Sequence, residues 1–353
     1  MPYKSLETRL NEEGVICAGG YLFELERRGY LRAGDFVPTV ALDHPDVLAQ
    51  VTRDFLRAGS DVALACTYYA HREKLRIIGR QDSLESLNRA ALQIAHQVAH
   101  EEVVEGRPRA LIAGNICNTN IYDPDDISSH HAVRDMFREM IGWAVSEGVD
   151  YIQAETLSYL GEAKIALEEI QRAGLPSVVF VAAYADGNLR DATPEDACAE
   201  LANAGATVVG ANCFRGPQTM LPVLKDIRKR VSHTHLGTLP VAYRTTPEHP
   251  TMFNLPDVHN TARLPTERTF PDALEGQQCN RYEIAEFTRN AWALGYRFVG
   301  VCCGGSVIHH RAVAEALGRS PQASRYSPDM SKHCMYGSDP SLKEHITSFA
   351  DFA

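Results

Sequence analysis

The sequence predicts an α/β protein, a (β/α)8 TIM barrel with a C-terminal extension. Apolar runs of strand length alternate with segments of helical periodicity, which is typical of βαβ units around a parallel sheet. Eight such runs occur, the number that closes a barrel. The 353 residues, 44% of them hydrophobic, suit one barrel with long loops and a large core. We expect residues 1–318 to form the barrel and residues 319–353 the extension.

Each predicted strand is a short apolar run that ends at a turn-forming or polar residue. Runs of this kind are typical of strands that are buried on both faces of a parallel sheet. Strands are expected over residues 15–17, 61–67, 110–116, 150–155, 177–182, 207–213, 236–242 and 298–302.

The predicted helices carry apolar residues on one face and recognisable end signals. In the second of them, Val47, Val51 and Phe55 fall on the same face. Thr193 and Pro194 supply an N-cap and a first-turn proline for a later helix. Helices are expected over residues 21–28, 45–58, 84–104, 132–147, 161–173, 219–231, 281–294 and 309–317, with one more beginning after Thr193.

Charge and composition exclude several classes of function. The formal net charge of -10 argues against a nucleic-acid partner. No apolar stretch approaches the roughly 20 residues of a membrane span, and the N-terminus lacks the apolar core of a signal peptide. The 9 cysteines are odd in number and lie mostly in apolar runs, which favours reduced thiols in the cytoplasm. We therefore expect a cytoplasmic protein with small-molecule partners.

Two segments do not fit the barrel repeat. The first is a polar loop over residues 243–278, rich in Pro and Thr. The second is the extension over residues 319–353. Because loops of this length are usually functional or disordered, we expect the first to border the site. We expect the second to contact another subunit or to cover the barrel mouth.

Three cysteines follow two of the predicted strands. Cys213 ends the sixth strand, and Cys302 and Cys303 end the eighth. Active sites of such barrels lie at the carboxyl ends of the strands, so the three sulfurs can meet at the mouth. Three thiolates leave the fourth position of a zinc ion open, as catalytic zinc requires. Cys213 taken alone fits a buried core cysteine better. The adjacent Cys302 and Cys303 are followed by Gly304, which favours a turn that lets both sulfurs reach one metal ion.

These cysteine segments resemble the zinc signature of the homocysteine S-methyltransferase family. The similarity is carried by residues 210–213 and 300–304, and it extends from about Leu6 to about Gly337. Residues 44–70 and 150–155 are closest to the betaine–homocysteine S-methyltransferases within that family. The resemblance implies a zinc-dependent (β/α)8 barrel that forms homo-oligomers, either dimers or tetramers.

The resemblance also assigns roles to individual residues. It implies that Cys213, Cys302 and Cys303 bind Zn2+, and that Glu155 holds the amino group of homocysteine. Other matched residues line the two substrate pockets, and of these Tyr69 is expected, with Glu155, to act in catalysis. The matched residues are Tyr69 and Phe36 in the betaine pocket, His333 near the betaine carboxylate, and Gly19 and Gly20, whose backbone approaches the substrates.

Aromatic faces are the best partners for a trimethylammonium group, because it has no hydrogen-bond donor. Tyr69, Phe36, Tyr21 and Tyr68 can supply such faces, although Tyr21 and Tyr68 equally fit packing at the mouth. Phe36 stands where the betaine enzymes carry a tryptophan. This change weakens binding of the trimethylammonium group or makes room for a larger donor.

Two further positions depart from the family pattern. Ala18 replaces an aspartate that usually helps to bind the amino group of homocysteine, and Thr156 replaces an aromatic residue. A missing charged hydrogen bond of about 1.5–3 kcal/mol predicts weaker homocysteine binding or a different thiol acceptor.

The chemistry expected is direct methyl transfer from a betaine-type donor to the zinc-bound thiolate of L-homocysteine, giving methionine. The alternatives are a sulfonium donor of the S-methylmethionine type, a different thiol, or a zinc protein that binds these ligands without turnover. A zinc hydrolase would need His or carboxylate ligands, which the strand ends do not offer. Several histidines are expected to be solvated loop or helix residues, namely His71, His130, His131, His309 and His310.

Overall fold

Eight parallel strands form a nearly closed barrel in the computed structural model, which describes residues 3–103, 107–258 and 268–352. The strand order is β1-β8-β7-β6-β5-β4-β3-β2, so every strand lies beside its sequence neighbours and β8 returns to β1. This confirms the predicted (β/α)8 fold. The strands are β1 (Val15–Ala18), β2 (Val62–Leu64), β3 (Leu111–Cys117), β4 (Tyr151–Leu157), β5 (Ser177–Val181), β6 (Val208–Asn212), β7 (His235–Leu239) and β8 (Tyr296–Val301).

Helices surround the sheet and follow the strands in turn. The described ranges contain four short helices that periodicity did not predict, α1, α3, α5 and α13. The helices are α1 (Leu6–Glu12), α2 (Tyr21–Arg27), α3 (Val40–Asp43), α4 (Pro45–Arg57), α5 (Arg72–Ile77), α6 (Leu84–Glu101), α7 (Ile127–Ser146), α8 (Leu160–Arg172), α9 (Pro194–Asn203), α10 (Pro217–Arg230), α11 (Arg281–Ala293), α12 (Val307–Ala316) and α13 (Glu344–Thr347).

Several predicted boundaries were wrong. Helix α7 begins at Ile127 rather than residue 132, because the Asp126 side chain accepts a hydrogen bond from the Ser128 N–H and caps the helix. Strand β2 ends at Leu64 because the chain turns at once, with the Thr67 N–H bonded to the Ala65 carbonyl. Helix α6 ends at Glu101 rather than residue 104, with Glu102 as its C-cap. The middle of the loop at residues 243–278 lies outside the described residues.

Large side chains fill the barrel interior below the mouth. The Tyr151 ring lies 6.3 Å from the Phe298 ring, and Phe180 lies 5.7 Å from Phe298 on the other side. A side chain on Gly237 would meet the Phe180 ring at 2.8 Å, so a glycine is needed there. The barrel is therefore packed rather than open along its axis, and ligands can enter only from an end.

The seam between β1 and β2 has no regular ladder. The Asp61 N–H donates to the Ile16 carbonyl at 2.7 Å, and the Asp61 carboxylate accepts the Ile16 N–H at 2.8 Å. Asp61 thus pairs both backbone polar groups of the fully buried Ile16, and the Ser60 hydroxyl adds bonds to the Ile16 carbonyl and from the Ala18 N–H.

The extension begins at the end of the barrel opposite the cysteines. Arg319 donates to the Asp61 carboxylate at 2.5 Å and to the carbonyls of Glu13 and Gly14 at 2.7 and 2.9 Å, just before β1. Ser324 and Ser327 then bond to Glu315 at the end of α12. Its assignment to an oligomer contact or a site cover stays a prediction.

No helix in the described ranges is both long enough and apolar enough to pass through a bilayer.

We predict that Asp61→Ala lowers the free energy of unfolding by about 2–4 kcal/mol, because the buried Ile16 N–H loses its acceptor and Arg319 loses its carboxylate partner, keeping only backbone carbonyls. Asp226→Ala is the matched control, because Asp226 pairs only with the exposed Lys229 and its loss is screened by water. Urea titrations of both variants test this, and equal losses would contradict it.

Candidate metal and substrate site

Three sulfur atoms meet at the carboxyl ends of β6 and β8. Cys213 Sγ lies 3.5 Å from Cys303 Sγ, and Cys302 Sγ lies 3.9 Å from Cys303 Sγ. All three lie within 4.8 Å of one another, and none forms a disulfide. Cys213 and Cys302 are buried, whereas Cys303 is half-buried. The cluster therefore has one partly open side.

The end of β7 holds both cysteine-bearing segments in place. The Cys213 N–H donates to the Leu239 carbonyl at 2.8 Å, and the Cys302 N–H donates to the Pro240 carbonyl at 2.8 Å. Since β7 lies between β6 and β8 in the sheet, these bonds align the two sulfur-bearing turns across it.

Strained backbone is concentrated around the sulfur cluster and the other predicted site residues. Cys213 and Phe214 have φ values of 57° and 55°, a region that side-chain-bearing residues rarely adopt. Such residues cost of order 1–3 kcal/mol each and concentrate at functional sites. Of the six described non-glycine residues with positive φ, five lie at the predicted site, and these are Phe36, Tyr69, Thr156, Cys213 and Phe214.

Two glycines allow the close approach of the surrounding loops. Gly304 has φ of 77°, and a side chain there would meet the Tyr243 ring at 2.5 Å. A side chain on Gly20 would lie 2.1 Å from the Gly305 carbonyl oxygen. Gly20 therefore lets the turn after β1 contact the turn after β8.

Mutual hydrogen bonding makes the first proton of the cluster easy to remove. The neighbouring thiols of Cys302 and Cys303 hold the pKa of Cys213 well below its ordinary value. Because of contacts with Cys213, the pKa values of Cys302 and Cys303 are raised. A divalent cation would offset the repulsion among three thiolates.

A buried carboxylate stands beside the sulfurs. Glu155 is 3% exposed, and its two oxygens accept hydrogen bonds from Asn115 Nδ2 at 2.5 Å and Asn212 Nδ2 at 2.9 Å. Burial raises the pKa of Glu155 to about 7, although the Asn115 amide opposes the shift. A cationic ligand would favour the ionised form.

Asn212 links the carboxylate to the sulfur cluster. Its Nδ2 contacts Cys302 Sγ at 3.9 Å, and its Oδ1 accepts the Thr156 N–H at 2.9 Å. Sequence reasoning gave Asn212 no role. Its position next to Cys213, at the end of a buried strand, was the available signal.

Tyr69 lies at the mouth with a cation already on its ring. Lys74 Nζ is 3.9 Å from the ring centroid, and Tyr68 packs against the same ring at 4.5 Å. Phe36 is 7% exposed and stacks on Phe23 at 5.1 Å. In the described ranges Lys74 forms no ion pair, and its Nζ is 3.5 Å from the Asp35 carbonyl.

The remaining predicted site residues are placed unequally. Gly19 and Gly20 line the same cavity as Glu155 and Cys303. Tyr21 also borders it, but its ring packs edge-on against Phe55 at 5.0 Å. The contacts of His333 are with its own segment: its Nδ1 accepts the N–H groups of Met335 and Tyr336. Its role at the site stays a prediction.

The expected solvation of three histidines was wrong, because His71, His309 and His310 are buried. His71 Nδ1 accepts the Lys74 N–H and caps α5, and His309 completes a capping box with Ser306 at the start of α12. The Ser-x-x-His spacing was the signal for the second of these caps.

The loop after β7 borders the site, as expected, over its described ends. The Ala242 N–H donates to the Cys303 carbonyl at 2.9 Å, and the Met252 N–H donates to the Phe214 carbonyl at 2.7 Å.

A parallel barrel with a sulfur cluster and a buried carboxylate at the strand ends defines a class of protein that can hold a soft metal and a small cationic ligand. Comparison with known proteins makes this specific. Residues 15–317 match the family described as homocysteine S-methyltransferase. The chain belongs to the homocysteine S-methyltransferase family.

Curated relatives are similar over nearly the whole chain. Betaine–homocysteine S-methyltransferase 1 of Xenopus tropicalis is 34% identical over 344 residues, covering 95% of this chain and 80% of that protein. The S-methylmethionine–homocysteine S-methyltransferase BHMT2 of Pongo abelii is 31% identical over 337 residues, covering 94% and 86%. The metallated form of the homocysteine methyltransferase MmuM from Escherichia coli has the same fold, with a TM-score of 0.64 and 19% identity over 86% of this chain and 96% of that one.

We predict a pH-dependent stability difference between the wild type and Glu155→Gln. Since the folded pKa of Glu155 is raised, its contribution is complete below about pH 4.5 and is lost as pH rises through about 7. The free energy of unfolding of the metal-free, reduced wild type should fall relative to the variant by about 2–3 kcal/mol between pH 5 and 8.

Glu283→Gln is the control for this measurement. Arg244 lowers the pKa of Glu283, so its contribution is present above about pH 4.5 and lost only on further acidification. Its difference from the wild type should stay constant between pH 5 and 8. A Glu155→Gln difference that is equally constant would show that burial does not shift this carboxyl.

Proposed function

We propose that this protein transfers a methyl group from a betaine-type donor to the thiolate of L-homocysteine, using zinc held by Cys213, Cys302 and Cys303. The observation that supports the proposal most strongly is the sulfur cluster. Tetrahedral zinc with bonds of about 2.3 Å would separate two sulfur ligands by about 3.8 Å. The measured separations of 3.5 and 3.9 Å fit that requirement.

The metal would supply one chemical function. Zinc held by Cys213, Cys302 and Cys303 would lower the pKa of an incoming thiol, so homocysteine would bind as a thiolate at neutral pH. The half-buried Cys303 marks the side from which that thiol approaches. No residue of the chain then needs to act as a general base toward sulfur.

Glu155 would bind the ammonium group of the acceptor. Its carboxylate accepts a hydrogen bond from Asn212, which also contacts Cys302 Sγ in the cluster. Glu155 and Cys303 line the same cavity. Ion pairing in a buried site both favours the charged carboxylate and orients the amino acid. The two asparagine amides fix the carboxylate so that sulfur and nitrogen are bound at once.

The donor would lie between the cysteines and the mouth residues Tyr69 and Phe36. Lys74 has no carboxylate partner in the described chain, so its ammonium suits the carboxylate of a betaine. A trimethylammonium group would use the remaining aromatic surface. The donor carboxylate thus determines the direction in which its methyl groups point.

The transfer balances without an oxidant or reductant. The sulfur lone pair forms a bond to the methyl carbon while the carbon–nitrogen bond breaks, and its electron pair stays on the departing dimethylamino nitrogen. The thiol proton has already gone to solvent. Opposite charges are consumed, so a site that excludes water favours the reaction.

A sulfonium donor is the second candidate. The similarity to the S-methylmethionine–homocysteine S-methyltransferase of Pongo abelii favours it. S-methylmethionine carries an additional ammonium group, which Lys74 would repel. A zinc protein that binds these ligands without turnover is the remaining alternative, and absence of methyl transfer to any thiol by zinc-loaded protein would support it.

We also propose that the protein works as a homo-oligomer in the cytoplasm, with the extension over residues 319–353 forming a subunit contact or covering the site. The free state of all the described cysteines suits a reducing compartment.

We predict that Cys302→Ser and Cys303→Ser reduce bound zinc from stoichiometric to near zero and abolish methyl transfer, because a hydroxyl is a poor replacement for a thiolate ligand. Emission spectroscopy measures the metal, and conversion of homocysteine to methionine measures activity.

Cys198→Ser is the matched control for these variants. Cys198 is buried on α9 and belongs to none of the sulfur contacts of the cluster. It should keep its zinc and its activity. Stoichiometric zinc in both cluster variants would refute the assignment.

We predict that Lys74→Met lowers kcat/KM for glycine betaine about tenfold, because the donor carboxylate loses a half-buried partner. Arg76→Met on the same helix is the control, since Arg76 is exposed and pairs with Glu73. Both variants are assayed with glycine betaine and S-methylmethionine. Unchanged use of betaine by Lys74→Met would contradict this placement of the donor.

A further inference from the structure

Asn115 carries a buried acceptor atom that the fold does not use. The residue lies on β3, is 3% exposed, and pairs with Gln153 of β4. Its Nδ2 donates to Glu155 at 2.5 Å and to the Gln153 carbonyl at 3.4 Å. Across the described chain, Asn115 Oδ1 meets no hydrogen-bond donor.

The orientation of this amide follows from its partners. An ionised carboxylate and a backbone carbonyl can only accept hydrogen bonds, so the nitrogen of Asn115 must face both of them. The oxygen is thereby directed away from them. Buried polar atoms are nearly always hydrogen-bonded, so an acceptor fixed in this way is expected to meet a donor from outside the fold.

Asn115 lines the cavity that also contains the proposed acceptor site, and its unpaired Oδ1 is buried. Asn115, Glu155 and Cys303 line that cavity together with Gly19 and Gly20. Ala18, just before these glycines, offers no polar side chain. A residue with a carboxylate, one with an unpaired amide oxygen and one with a sulfur of the cluster therefore line the same cavity.

An ammonium group matches this set of acceptors. It carries three N–H donors and no acceptor, so it needs more than one oxygen when it is taken out of water. Glu155 alone supplies the charge but leaves donors to be paired. The Oδ1 of Asn115, which accepts no hydrogen bond within the described chain, would supply a second oxygen.

We propose that Asn115 Oδ1 accepts a hydrogen bond from the α-ammonium group of the thiol substrate, beside Glu155, and so selects thiols that carry an amino group. The inference rests on the proposed function, because it assumes that a thiol binds at the cysteine cluster. It assigns to Asn115 the part that Ala18 cannot play. Asn115 would thus help to determine which thiols the site binds.

Binding of two thiols tests the proposal. Homocysteine and 4-mercaptobutyrate differ only in the amino group, and isothermal titration calorimetry of the zinc-loaded full chain measures both. Asn115→Leu should weaken homocysteine binding roughly tenfold or more, while 4-mercaptobutyrate changes by less than about threefold. Asn88→Ala removes a buried amide on α6 that bonds only to Ala70 and Leu84, and it should leave both affinities unchanged.

The possible outcomes are distinct. Equal weakening of both thiols in Asn115→Leu, or none, would overturn the role of Asn115 while leaving the proposed function in place. Failure of the wild type to bind either thiol would instead overturn the proposed function.

A crystal structure of the unaltered protein with zinc and homocysteine provides a second measurement that does not depend on a variant folding. The ammonium nitrogen should lie about 2.7–3.2 Å from both Asn115 Oδ1 and a Glu155 oxygen. A water molecule on Asn115 Oδ1, with the ammonium group elsewhere, would show that the amide has only a structural role.

Discussion

The site depends on a pair of backbone hydrogen bonds at the end of β7. The Cys213 N–H donates to the Leu239 carbonyl, and the Cys302 N–H donates to the next carbonyl in the chain, that of Pro240. Residues about 90 positions apart in the chain are thereby held at the same level of the barrel. The distances between the sulfur atoms follow from this alignment. Asn212, next to Cys213, donates a hydrogen bond to Glu155 and so positions that carboxylate relative to the cluster.

A line of polar groups runs from the sulfurs into the barrel, and neutral amides separate its charged members. Asn212 lies between Cys302 and Glu155, and Asn115 lies on the other side of Glu155. Amide dipoles can stabilise an anion on one side without adding a second charge to a buried site. The strained backbone at Thr156 and Cys213 is the local cost of bringing these groups to the mouth, and the packed barrel below supports it.

The fold and the sulfur cluster could be predicted from the sequence because both follow from local patterns. Apolar runs gave the eight strands, and the strand-end rule brought Cys213 near Cys302. Side-chain contacts made by the loops could not be obtained in this way. The cation on the Tyr69 ring depends on how α5 packs, and the burial of His310 depends on the tertiary contact of α12 with Phe55. The free oxygen of Asn115 became visible only once its two partners were known.

The contact between Arg319 and Asp61 has a consequence for biosynthesis. Asp61 and Arg319 are 258 positions apart in the chain, so the carboxylate is synthesised long before its guanidinium partner. Strand β8, which pairs with β1, is also synthesised late, because it begins at Tyr296. The amino-terminal part of the nascent polypeptide therefore keeps an unpaired strand edge until β8 and Arg319 have been synthesised, and only then can the barrel close.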